Sequence, residues 1–100
     1  MSVIVAGVIR VPSEGLPAFR QHMQAMIEGS RAENGCLVYS YAEDVLEPGL
    51  IRVFEIWRDQ TDLDAHFLSQ HMAEWRAAWP RFGVSERALA AYDAANERTI

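Results

Sequence analysis

The order of hydrophobic and polar positions predicts that strands and helices alternate along this chain. Val3 to Val11 is a β-branched run that stops at Pro12, which is typical of a strand buried on both sides. From Ser13, which is placed to serve as an N-cap, apolar residues recur at spacings of three and four. The pattern therefore predicts an amphipathic helix that stops at Asn34-Gly35, where both residues tolerate left-handed backbone.

Two further strands are predicted on either side of a turn. Cys36 to Glu43 and Leu50 to Arg58 each carry apolar residues on both faces. The segment between them, Asp44 to Gly49, ends in a Pro-Gly pair, which is typical of a hairpin loop. Strands that are apolar on both faces indicate that other layers cover the sheet from both sides.

The hairpin also predicts which residues face each other. If the loop is centred on Glu47, Tyr39 lies opposite Glu55 and Leu37 lies opposite Trp57. Glu55 is unexpected in the middle of an apolar strand, and a half-buried carboxylate needs a partner. It is either part of a buried ion pair or an acid or base in a pocket, with a raised pKa.

A stripe of residues at a spacing of four predicts helical structure in the second half of the chain. The acidic stretch Asp59 to Asp64 suits a helix N-terminus, where the helix dipole favours negative charge. The stripe stops at Pro80 and Gly83, and it fits one long helix or two short helices broken near Ser69-Gln70-His71. Its members are Leu63, Phe67, His71, Trp75 and Trp79.

The complete order predicts an α+β fold. Val84 to Tyr92 is expected to be the last strand, so the chain follows the β-α-β-β-α-β order of a ferredoxin-like sandwich with an antiparallel four-stranded sheet. We expect one domain over residues 1–100, with a core from 3 to 92 and a polar tail from 93 to 100. Both helices then lie on one face of the sheet, and a second copy of the chain would cover the other face in a homodimer.

Composition narrows the classes of function. The chain has 100 residues, of which 50% are hydrophobic, and its nine arginines and fourteen acidic residues give a net charge of −5. Arginines scattered among more numerous acids do not favour nucleic-acid binding. No stretch reaches the roughly 18 apolar residues of a membrane span, so no membrane partner is expected. The single cysteine and the lack of a basic n-region predict a cytoplasmic protein.

The candidate chemistry lies in histidines and aromatic residues of the second half. His66 and His71 are five residues apart, about 140° on one helix, so both reach a single cavity only if the helix breaks near Ser69. That spacing is not the spacing of four found in helical metal pairs, and the stripe offers few acids, so no metal site is expected. Trp57 has an apolar ring and one N–H donor, which suits the wall of a pocket for a flat ring, although core packing would also explain it.

Several stretches together resemble the antibiotic-biosynthesis monooxygenase family, including its quinol-monooxygenase-like members. The resemblance covers about residues 3 to 92, and Asn34 stands where many relatives have proline. The stretches that carry it are Ser30-Arg31-Ala32-Glu33-Asn34-Gly35-Cys36-Leu37-Val38-Tyr39, Phe54-Glu55-Ile56-Trp57-Arg58-Asp59, Leu63-Asp64-Ala65-His66 and Ser69-Gln70-His71.

The resemblance implies a dimeric α/β barrel with a pocket between the sheet and the helices of each subunit. It also implies oxygenation of a small phenolic or quinol-type aromatic substrate by O2, with no metal, flavin or haem as cofactor. Trp57 and His66 match pocket positions of the family. Glu55, His71 and Tyr39 match recurrent motif positions. His66 or His71 would then act as the base, because the ordinary pKa of histidine is about 6.5.

In this scheme other residues would hold the ring. Tyr39 and Trp57 would orient it and donate hydrogen bonds, with Phe67 and Glu55 also contacting substrate. The resemblance leaves two alternatives open. One is a non-catalytic dimeric domain for ligand binding or stress response. The other is a haem-degrading monooxygenase, although the first strand lacks the asparagine of those relatives.

Overall fold

The computed structural model describes residues 1–100. The order of strands and helices follows the prediction, with the second helical region divided in two. A single 3-10 turn, Ser13–Gly15, precedes the first helix. The remaining elements are β1 (Ser2–Arg10), α1 (Leu16–Arg31), β2 (Cys36–Glu43), β3 (Leu50–Trp57), α2 (Gln60–Phe67), α3 (Gln70–Phe82) and β4 (Glu86–Ala94).

The four strands form one antiparallel sheet in the order β2-β3-β1-β4. This order and the helical connections confirm the predicted α+β ferredoxin-like fold. The core lies between one face of the sheet and the helices, and alternate residues of β1 and β3 point into it. Its largest fully buried side chains include Trp57, Phe19, Ile9, Met26, Ile51, Leu63 and His66. No helix is both long enough and apolar enough to cross a membrane.

The start of α1 differs from the sequence prediction. Ser13 makes no capping hydrogen bond through its side chain, so its prediction as the N-cap is wrong. The Gly15 N–H instead donates to the carbonyl of Pro12 at 3.1 Å and closes the 3-10 turn before the helix. Pro17 lies in the first turn of α1, where a missing N–H costs no helical hydrogen bond.

Of the two alternatives for the second helical region, the structure has two helices. Asp59 caps α2 by accepting a hydrogen bond from the Asp62 N–H at 2.9 Å. Ser69 caps α3, because its hydroxyl accepts from the Met72 N–H at 3.3 Å and also donates to the carbonyl of His66 at 2.7 Å. The break therefore falls between His66 and His71. A break at this point allows the two side chains to approach each other.

The β2–β3 ladder confirms one predicted pair and corrects the other. Tyr39 lies opposite Glu55 as expected, but Cys36, not Leu37, pairs with Trp57. A bulge between Cys36 and Val38 adds one residue to β2, which turns the Leu37 side chain away from the core and leaves it 58% exposed. Because side chains alternate between the two faces of a sheet, one extra residue is enough to move a side chain from the core face to the opposite face.

The last strand is displaced by two residues from its predicted position. β4 runs from Glu86 to Ala94, so Asp93, predicted to begin the tail, instead pairs with Val3. Val84 belongs to the turn before the strand, where its N–H donates to the carbonyl of Trp79 at 3.2 Å. The alanines of this segment favour a helix by propensity, so the local pattern does not fix the boundary of a strand.

Gly7 in β1 provides a test of the packing of β1 against β4. Its φ is 155°, and a Cβ at this position would collide with the carbonyl group of Ala88 in β4. We expect Gly7→Ala to lower the free energy of unfolding by about 2 kcal/mol or more, measured by urea denaturation. Gly15→Ala is the matched control, because its Cβ would meet only Phe82, at 4.0 Å. Equal losses in both variants would contradict the β1–β4 packing.

Candidate functional site

A cavity of about 210 Å³ lies between the helix-facing side of the sheet and helices α2 and α3. Twelve of its fifteen lining residues are hydrophobic, so the cavity suits an apolar ligand. Four of the residues predicted from the sequence line it, namely Tyr39, Glu55, His66 and Phe67. The structure therefore brings most of the predicted site together on one cavity wall.

The other two predicted residues lie behind this wall. Trp57 is fully buried, and its Nε1–H donates to Oε1 of Glu55 at 2.9 Å. Its indole therefore supports the carboxyl group and has no N–H left for a ligand. His71 does not line the cavity either, and it is bound instead to an acidic residue that the sequence analysis had not singled out.

That acidic residue is Glu33, in the turn after α1. Its Oε2 lies 2.6 Å from Nδ1 of His66 and 2.7 Å from Nε2 of His71. A carboxylate can only accept hydrogen bonds, so both imidazoles donate to it. This fixes the proton of neutral His66 on Nδ1 and leaves its Nε2 with a free lone pair. That Nε2 is buried and has no hydrogen-bond partner in the protein.

A glycine in α1 makes room for the second histidine. A Cβ on Gly29 would lie 2.8 Å from Cγ and 3.0 Å from Nδ1 of His71. Real Cβ atoms do not approach other atoms this closely, so the His71 ring rests directly on the backbone of α1. The glycine thereby lets Nε2 of His71 reach Glu33, which follows at the end of the same helix.

Burial keeps His66 uncharged. The side chain is fully buried, and the loss of hydration lowers its pKa below the ordinary value of 6.5. The hydrogen bond and the charge of Glu33 act in the opposite direction and offset part of this effect. Near neutral pH the imidazole is therefore neutral, which is the form that accepts a proton at Nε2.

Burial acts on Glu55 in the opposite sense. The residue is only 5% exposed, and desolvation raises the pKa of its carboxyl group to about 7. The hydrogen bond from Trp57 lowers this pKa, whereas the charge of Glu33 raises it further. Glu55 is therefore a carboxyl group that exchanges a proton near neutral pH, which fits the pocket acid or base rather than the buried ion pair among the two alternatives left by the sequence.

Two tyrosines complete the polar part of the cavity. The hydroxyl groups of Tyr39 and Tyr41 lie 2.6 Å apart, and the Tyr39 ring is 5.4 Å from the ring of His66. Burial raises the pKa of both phenols well above the ordinary value, so both stay protonated. They can hydrogen-bond a ligand oxygen but cannot serve as bases.

Glu33, His66 and His71 also form a group of metal-binding types. One ligand atom from each lies within 4.8 Å of the others. The two N–O distances of 2.6 and 2.7 Å are hydrogen-bond lengths, whereas ligands held about 2.0 to 2.2 Å from one ion in a tetrahedral site stand about 3.3 Å apart. The cluster as it stands is therefore held together by protons, and a metal ion would require it to open.

Both histidines are predicted from the sequence, but Glu33 is not. The acid comes from a polar turn far from the helical stripe, where acidic residues are common on any surface. The one signal pointing to it was its position inside Ser30 to Tyr39, one of the stretches on which the family resemblance rests. Only the fold shows that this turn meets the break between α2 and α3.

The comparisons with known proteins agree with this architecture. Residues 2–78 match the family described as antibiotic biosynthesis monooxygenase. The chain therefore belongs to this family. An uncharacterised protein from Synechocystis is 33% identical over 98 residues, which is 98% of this chain and 67% of that protein.

Solved structures show the same fold. A crystal structure from Deinococcus radiodurans, described as a candidate antibiotic biosynthesis monooxygenase, has a TM-score of 0.90 and 23% identity, covering 100% of this chain and 98% of that one. The protein Rv0793 from Mycobacterium tuberculosis has a TM-score of 0.86 and 27% identity, covering 99% and 100%. The first likeness, at its low identity, concerns the fold alone.

The titration of Glu55 gives a prediction for stability. Its pKa is about 7 in the folded chain against 4.5 for a free side chain. Its contribution to the free energy of unfolding is therefore complete below about pH 4.5 and is lost as the pH rises through 7. Glutamine does not titrate and can still accept the Trp57 hydrogen bond. We expect the free energy of unfolding of Glu55→Gln, relative to wild type, to increase by about 2 kcal/mol between pH 5 and pH 8.

Urea denaturation at the two pH values measures this difference. Glu14→Gln is the control, because Glu14 is exposed and outside the cavity. A Glu55→Gln difference that stays constant with pH would show that the carboxyl group titrates as an ordinary exposed acid.

Proposed function

We propose that this chain is a cytoplasmic, cofactor-independent monooxygenase that oxidises a small phenolic or quinol-type ring with O2. The observation that carries the proposal is the buried imidazole of His66, which lines an apolar cavity and has an unpartnered Nε2. Glu55, with a pKa of about 7, lines the same cavity. Membership of the monooxygenase family supports the reaction class.

The proposal assigns the proton transfer to His66. Nε2 accepts the proton of a ring hydroxyl, and Glu33 stabilises the imidazolium that forms by accepting the Nδ1–H. Glu55 and Tyr39 bind the ring oxygen as it becomes negative. Trp57 matches a pocket position of the family and His71 a recurrent motif position. Both act from behind the wall, where Trp57 holds Glu55 and His71 holds Glu33.

The volume of the cavity limits the ring system. Drug-sized ligands occupy pockets of roughly 300 Å³ or more, and this cavity holds about 210 Å³. A ligand of one or two fused rings therefore fits better than a three-ring anthrone. A haem macrocycle is larger still and does not fit between the sheet and the helices as they stand, which argues against haem degradation.

The proposed reaction balances with O2 as the only co-reactant. Removal of a hydroxyl proton makes a quinol ring a good one-electron donor, and transfer of an electron to O2 gives a ring radical and superoxide. These combine at the carbon next to the ionised oxygen to give a hydroperoxide after protonation. Loss of water then leaves a hydroxyquinone, so one oxygen atom enters the ring and the other leaves as water.

Turnover with a two-ring quinol tests this proposal. We expect metal-free wild-type protein to consume one O2 per quinol without accumulating hydrogen peroxide, measured with an oxygen electrode and product analysis. His66→Gln should lower kcat/KM by about 10² to 10⁴, because it removes the base. His22→Gln, a histidine of α1 outside the cavity, is the control and should keep the wild-type rate.

Two results would count against the proposal. If no quinol or phenol in a panel causes oxygen uptake above the uncatalysed rate, the chain is not this enzyme. If quinols bind without conversion and His66→Gln weakens that binding, the non-catalytic binding domain is the correct alternative.

We also propose that the chain forms a homodimer through the sheet face that the helices leave uncovered. Register places Val38, Ile56, Ile4 and Tyr92 side by side across all four strands, and Phe54 follows in the next row. Val38, Phe54 and Tyr92 are exposed by 37, 42 and 57%. A continuous apolar surface of this kind suits a second copy of the same face, related by a two-fold axis.

Light scattering at micromolar concentration tests the dimer. We expect twice the mass of one chain for the wild type, and one chain mass for Phe54→Asp, because it places a charge in the apolar row. Leu46→Asp is the control, since Leu46 is an 87% exposed apolar residue in the hairpin loop. A monomeric wild type would contradict the proposal.

A further inference from the structure

The cavity has a second polar end that the proposed reaction does not use. Arg87 of β4 is the one arginine among its lining residues, and its guanidinium lies 5.3 Å from the ring centre of Trp79. Neighbouring Glu86 approaches Arg10 instead, at 3.9 Å, and Arg87 has no carboxylate partner. Arg87 is exposed to solvent as well as lining the cavity, and it brings to this end a positive charge that no carboxylate of the protein pairs.

Trp79 adds an unused hydrogen-bond donor at the same place. Its Nε1–H is buried and has no acceptor in the protein. Buried indole N–H groups are normally paired, so this donor indicates an acceptor that the protein itself does not supply. The indole that carries this donor is the ring over which the guanidinium of Arg87 lies, so a charged donor and a neutral donor belong to neighbouring side chains at one end of the cavity.

The strand register separates this end from the proposed reaction centre. Arg87 lies opposite Ile9 of β1, whereas Glu55 lies opposite Val5. Four residues of strand correspond to about 13 Å along the sheet. An anionic group beside Arg87 would therefore be well removed from the carboxyl group of Glu55, and a ligand that reaches both ends needs polar groups on opposite sides of its ring.

We propose that Arg87 and Trp79 form an anion-binding subsite, so that the ligand is a hydroxylated aromatic acid with its hydroxyl at His66 and its carboxylate at Arg87. This inference rests on the proposed function for the hydroxyl end. The carboxylate accepts a charge-assisted hydrogen bond from the guanidinium and a second one from the indole N–H. Stacking on Trp79 holds the guanidinium in place for this contact.

Three redox-stable naphthalenes test the subsite by calorimetry. They are 6-hydroxy-2-naphthoate, its methyl ester, which keeps the shape without the charge, and 2-naphthol, which lacks the substituent. We expect wild-type protein to bind the acid at least tenfold more tightly than the ester or 2-naphthol. Arg87→Met should remove this preference, so that the acid, the ester and 2-naphthol bind with similar affinities, and Trp79→Phe should weaken the binding of the acid several-fold relative to the ester.

Arg81→Met is the matched control. Arg81 also lies over an aromatic ring, with its guanidinium 5.6 Å from the centre of Phe82, but it does not line the cavity. Equal affinity for acid and ester, or a preference that survives Arg87→Met, would overturn the anion subsite while 2-naphthol binding still supports the cavity. If none of the three compounds binds, the aromatic ligand of the proposed function fails together with the subsite.

Discussion

One carboxylate oxygen, Oε2 of Glu33, links the ends of three helices through two hydrogen bonds. Glu33 follows α1, and the histidines that donate to it, His66 and His71, lie at the end of α2 and the start of α3. A carboxylate that loses hydration must gain hydrogen bonds in return, and two imidazole N–H groups provide them. The break between α2 and α3 follows from this arrangement, because only a broken helix presents both rings to one oxygen.

Desolvation gives the cavity its chemical character. It lowers the pKa of His66 and raises that of Glu55, so both groups tend towards their neutral forms near pH 7. A neutral base can accept a proton from a ligand and a neutral acid can donate one, so the two groups together can move protons in both directions. The guanidinium of Arg87 lies at the other end, so the proposed reaction centre and the proposed anion subsite are separated along the strands.

The sequence was sufficient for the fold and for part of the site. Periodicity and turn residues predict the order of the strands and helices, and the hairpin centre predicts the pair Tyr39–Glu55, because both depend on local spacing. The bulge that turns Leu37 outward has no local signal, since apolar residues occupy both faces of β2. Glu33 was missed because its partners come from other helices, and no one-dimensional pattern links a polar turn to a helix break.

The contact between α1 and the His71 ring makes two distant positions depend on each other. A glycine inside a helix lowers stability by about 1 kcal/mol relative to alanine. At position 29 the absence of a Cβ leaves the space that the His71 ring occupies. Enlarging residue 29 alone displaces the ring, whereas reducing residue 71 alone leaves a gap, so the effects of the two changes are not additive. A related chain that gives up the histidine can therefore also replace the glycine, and the two residues are expected to change together during evolution.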